Sequence, residues 1–145
     1  MVHALSEIRR VLVPNGTLID LRPILDHWQI EVTSAQETLE TGHIQDLPLG
    51  LADDKAANQS IAQAEQNGWF LREAGDFFSF RYSWDSPSEM EEWIEEEWQD
   101  FIQTDEEARQ TTRSTWALGD ADSRVGVRVK MLITRWKKKI KGDDE

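Results

Sequence analysis

Asp20, Arg22, His27, Trp28 and His43 are the side chains in this sequence whose types and spacing are suited to chemistry. Asp20 and Arg22 stand two apart at the end of the strand-type run Thr17-Leu18-Ile19-Asp20-Leu21, so they share one face and can pair. The carboxyl end of such a strand is where open α/β sheets hold ligands, which draws His27 and Trp28 into the same candidate pocket. A hairpin over the next residues brings His43 toward His27 and sets two imidazoles beside Glu40 and Asp46. A metal centre needs three or four ligands at about 2.0–2.2 Å, and this spacing matches no ligand motif, so no metal is expected. No Gly-x-Ser-x-Gly elbow and no cysteine occur, so a serine hydrolase and a thiol nucleophile are set aside and no catalytic residue is assigned.

The elements that must position these residues follow from apolar spacing. Val2, Leu5, Ile8 and Leu12 recur at helical intervals, and Pro14-Asn15-Gly16 ends that helix and turns the chain into the Thr17–Leu21 strand. Trp28, Ile30 and Val32 alternate with polar residues as a half-buried strand, and a partner from about Thr38 to Asp46, with Gly42 as a bulge, completes the hairpin. Leu47 to Gly50 reads as a connector before a helix capped by Asp53 and stopped by Asn67-Gly68. Trp69 to Ala74 is expected as a strand turned by Gly75-Asp76 into a second one, where Phe78, Phe80, Tyr82 and Trp84 make one wholly aromatic face. Ser86-Pro87-Ser88-Glu89 starts a helix running to about Gln103, and Thr104-Asp105-Glu106-Glu107 repeats the capping signal for another ending near Gly119. A long alternating strand follows from Arg124, and the lysine run and residues 142–145 read as a frayed acidic-ended tail.

Composition narrows the function classes. The 145 residues suffice for one domain, expected over 1–141, with an α/β or α+β-like fold: a mixed, mostly antiparallel sheet packed with about four helices. A net charge of −12 repels phosphate backbones and anionic lipid, which counts against nucleic acid and membrane partners. No apolar run is long enough to span a bilayer or serve as a signal peptide, so a cytoplasmic location is expected. The charges are segregated: residues 89–107 carry ten acids and no base, while residues 124–141 carry eight bases and no acid. These stretches are solvated faces, or they meet within one chain or across a dimer. Most of the seven tryptophans fall on the apolar phase of their elements and are expected in the core. Trp136, with Arg128 and Lys130, is the expected interface.

The opening segment carries a resemblance. Leu5, Glu7, Arg10, Val11, Leu12, Pro14 and Gly16 match the "L-x-E-x-x-R-V-L-x-P-G-G" helix and turn that lead into the fifth strand of class I S-adenosylmethionine-dependent methyltransferases, with Asn15 in place of the first glycine. The resemblance implies a partial Rossmann-type fold equivalent to the second half of such an enzyme, with later strands similar to its sixth and seventh. It covers residues 4–22, and no Gly-x-Gly loop for the cofactor occurs in the chain, so no S-adenosylmethionine-binding residue is assigned. Three functions follow as expectations. The first is a methyltransferase-like domain, inactive alone, in which a homodimer or protein partner covers an open sheet edge. The second is one portion of a truncated or split active methyltransferase. The third is a small-molecule binding protein using the aromatic face.

Overall fold

Asn15 adopts a left-handed backbone (φ 61°), which its short polar side chain tolerates, and this lets Pro14-Asn15-Gly16 turn the first helix directly into a strand. The computed structural model describes residues 2–140; the expected 142–145 tail lies outside them. The described chain is mixed α/β, with helices α1 (Val2–Val11), α2 (Pro48–Gln66), α3 (Pro87–Trp93) and α4 (Glu106–Leu118). Its strands are β1 (Thr17–Pro23), β2 (Gln29–Thr33), β3 (Thr38–His43), β4 (Gln45–Asp46), β5 (Phe70–Trp84), β6 (Ile102–Gln103) and β7 (Arg124–Lys138). Among the described residues these elements gather into two compact units, one built from residues 2–23, 52–78 and 131–140 and the other from 24–51 and 79–130.

In the first unit, β1 pairs antiparallel with the second half of β7, from Thr17 opposite Lys137 to Pro23 opposite Met131. The core forms where α1 and α2 present their apolar stripes to the strands: Leu5, Ile61, Ala64, Phe70 and Trp136 are buried together, with Ile8, Leu12, Leu18 and Trp69 against them. Trp136 is only 4% exposed and its Nε1 donates to Thr134 Oγ1, so it belongs to this core and not to an exposed interface. The lysine run is likewise not frayed throughout, because Lys137 and Lys138 extend β7 and Lys138 Nζ donates to the Leu12 carbonyl at the end of α1. Pro48 begins α2 five residues before Asp53, as its missing N–H costs nothing in a first helical turn.

In the second unit, β2 lies between β3 and the first half of β7, antiparallel to both. The β2–β3 register slips so that Ile30 faces Gly42 and Glu31 faces Glu40, leaving Thr41, beside the expected Gly42, as the extra residue. Thr41 turns inward, where its hydroxyl meets Thr112 Oγ1 of α4 at 2.7 Å, and two buried polar groups satisfy one another. Val125, Val127 and Val129 are all buried, so one face of β7 is core and the other carries the bases. Those bases pair locally: Arg124 with Asp85, Arg128 with Glu31 and Lys130 with Asp26. The acidic stretch finds a different base, Arg113 of α4, whose guanidinium is held above its ordinary pKa by the hydrogen bond and charge of Glu91.

Two expectations about the middle of the chain are corrected. Gly75-Asp76 does not turn the chain, because β5 continues through it as one strand of 15 residues that pairs with β7. The helix from Ser86 stops at Trp93 and gives way to a π turn, Ile94–Trp98, before β6 pairs with β4. Ser86 Oγ does accept the Glu89 N–H, as the capping signal predicts, while Asp105 takes the cap of α4 from Thr104 by accepting the Ala108 N–H.

Candidate functional site

A cleft of about 600 Å3 opens in the second unit where the ends of β2 and β3 meet the start of α4. His27 and His43 both line it, together with Gly42, Gln45, Asp105 and Glu107. His27 adopts a left-handed backbone (φ 45°), uncommon for a side chain of its size. That turn is fixed by Asp46, whose Oδ2 accepts the His27 backbone N–H at 3.1 Å and lies 3.7 Å from its Nδ1. The Asp46 carboxylate is 3% exposed and its Oδ1 has no hydrogen-bond partner among the described residues, whereas the imidazole is 70% exposed. A buried carboxylate behind an exposed imidazole holds the loop that carries the ring.

His43 has its own carboxylate, Glu40, at 3.0 Å from Nε2. The α4 side contributes acids, of which Asp105 is engaged twice, capping Ala108 and accepting from Gln45 Nε2 at 3.3 Å. The cleft therefore offers imidazole N–H donors and carboxylate acceptors, a lining for a small polar or cationic molecule. No group of three histidine, aspartate or glutamate side chains among the described residues is arranged to hold a metal ion.

The other expected pocket residues lie elsewhere. Asp20 and Arg22 pair at 3.2 Å in the first unit, where Arg22 Nη2 also donates to Asn58 Oδ1 at 2.7 Å. Trp28 is buried, its Nε1 donating to the Ile24 carbonyl and its ring edge-on to Trp98 at 5.6 Å. Arg128 reaches inward to the fully buried Glu31, which Arg81 also contacts, and Lys130 holds Asp26 at 3.1 Å. Asp105 and Glu107 reach the cleft through the long-range approach of α4 to β3, where small Gly42 meets small Ala108, and local spacing carries no signal of that approach.

Of the expected aromatic face, Phe78 and Phe80 stand 44% and 50% exposed, while Tyr82 and Trp84 meet Trp93 and Trp98. Tyr82, Trp84, Trp93 and Trp98 all lie 5.0–6.5 Å apart, centroid to centroid, distances at which rings are in contact. The π turn makes this possible, since residues five apart diverge on an α-helix but stack in a turn closed by i to i+5 bonds.

Gly42 sets the fit of α4 against the cleft wall, because a Cβ there would sit 2.8 Å from Ala108 Cβ. Gly42→Ala is expected to lower stability by about 1–3 kcal/mol through overpacking. Thermal unfolding checks it, and in an Ala108→Gly background the same substitution should cost much less.

No family model, curated protein or solved structure matches the chain.

Proposed function

We propose that this chain is a methyltransferase-like domain of partial Rossmann type, without an S-adenosylmethionine motif of its own, that acts by self-association or through a protein partner. One observation carries the reading: among the described residues β1 pairs along one side only, with β7. Ile19 and Leu21 of that strand stand 52% and 53% exposed on one of its faces. An apolar strand with an unpaired edge is a ready site for strand addition or for cover by a second chain. The motif of residues 4–22 supports the methyltransferase part of the reading, as does the sheet around β1, which is joined later in the chain by β7 and, through it, β5. The absence of any Gly-x-Gly supports the non-catalytic part.

Sedimentation of the chain across the micromolar range tests the proposal. A reversible dimer that Leu21→Lys converts to a monomer without loss of helical and strand signal is the expected result. A monomer whose mass is unchanged by that substitution, and which shifts its tryptophan emission with millimolar S-adenosylmethionine, would point to a cofactor-binding protein instead.

A further inference from the structure

A pocket in the first unit has the opposite character from the chain as a whole. Arg9 and Arg10 at the end of α1 and Lys138 and Lys139 at the end of β7 line a cavity of about 440 Å3 with Ser6, and among the described residues the only carboxylate in its wall is Glu7. Four cations against one acid stand out in a chain of net charge −12.

Two of the four are accounted for by the fold. Arg10 Nε binds Glu7 at 2.9 Å, and Lys138 Nζ caps the Leu12 carbonyl at 2.6 Å, where the negative end of the α1 dipole favours a cation. Arg9 and Lys139 are not, since neither forms an ion pair among the described residues. The Arg9 guanidinium carbon lies 5.7 Å from the centre of the Trp69 ring, and its Nε is buried with no hydrogen-bond partner among the described residues. Stacking on an aromatic face fixes the plane of a guanidinium, so its unused donors are held in place before any ligand arrives. The Lys139 backbone N–H donates to the Trp69 carbonyl at 3.1 Å, which ties the second free cation to the same residue.

We propose that this pocket binds the phosphoryl group of a small soluble molecule, with Arg9 and Lys139 as its charged contacts and Ser6 as a further hydroxyl donor. A planar fork beside a flexible ammonium suits a multiply charged tetrahedral oxyanion better than a carboxylate, which one arginine satisfies alone. The global charge selects for size. Screening confines the acidic field to about 8 Å at physiological salt, so a small anion inside the pocket feels the four cations. A nucleic acid or membrane extends beyond that distance and meets the repulsion of the rest of the chain.

The test titrates the full chain with inorganic pyrophosphate at constant ionic strength and follows the Arg9 Nε–H and Trp69 indole N–H by nitrogen-resolved NMR. Saturable shifts of both signals are expected, with chloride at equal ionic strength giving none. Arg9→Gln and Lys139→Gln should each weaken binding about tenfold, the loss of one charge-assisted hydrogen bond, while Lys55→Gln leaves it unchanged. If Arg9→Gln disturbs the Trp69 packing enough to unfold the unit, Lys139→Gln alone decides. Shifts that rise without saturating, affinity indifferent to Lys139→Gln, or binding to phosphatidylserine vesicles in preference to pyrophosphate would overturn the proposal.

Discussion

Replacing Arg81 and Arg128 together with glutamine is expected to destabilise the second unit by about 3 kcal/mol, because it strands a charge. Glu31 is fully buried, and besides the two guanidinium groups its carboxylate accepts, among the described residues, only from Gln29 Nε2 at 3.0 Å. With both arginines gone the anion keeps one neutral donor in a dry site. Adding Glu31→Gln removes the stranded charge and should recover most of the loss, although it deletes another member of the network. Urea unfolding of the double and triple variants decides the matter, and equal midpoints would show that burial of the charge is not what the arginines offset. The arginines are themselves 40% and 42% exposed, so they return to water when Glu31 is neutralised, and Glu31→Gln alone should cost less than the double change.

Phe70→Ala should cost about 3–5 kcal/mol in the first unit. Phe70 is 0% exposed, at the start of a strand whose following residues are largely exposed, and it lies where α1, α2 and Trp136 converge. Few large side chains share that core, so the cavity has little with which to collapse. Phe70→Leu, which keeps most of the volume, is expected to lose less than half as much. A calorimetric scan of the two variants checks the order, and comparable losses would place the stability of this unit outside its apolar centre.

The elements legible in the sequence are those whose information is local. The alternation Val125, Val127, Val129 marks β7 unaided, and Ser86 to Glu89 marks the start of α3. What sequence misjudges is decided by partners far along the chain. Gly75-Asp76 is a turn pair by composition, yet β5, which pairs with β7 far along the chain, runs straight through it. Thr104 and Asp105 both offer caps; Asp105 takes that of α4, its second oxygen accepting from distant Gln45, while Thr104 Oγ1 accepts from Arg109. The candidate site divides the same way. His27 and His43 are visible as a hairpin pair, since both flank strands that the pattern predicts. Asp105 and Glu107 enter their cleft only because α4 folds back over β3, a contact fixed by Gly42, Ala108 and the Thr41–Thr112 pair. Seven tryptophans suggest a core by composition, but only Trp28 and Trp136 are buried; Trp69, Trp84, Trp98 and Trp116 are half-buried and Trp93 is exposed.

The ring contacts around Trp98 have a spectroscopic consequence. Indole and phenol transitions held this close and at fixed angles mix, so Trp84, Trp93 and Trp98 should give a paired band of opposite signs in circular dichroism that any loosening of the π turn extinguishes. Trp69, stacked beneath Arg9, and the enclosed Trp136 emit from the other unit. The molecule thus carries two native optical signals, one for each half of its architecture, and needs no added label to report which half responds to a ligand, a denaturant or a second chain.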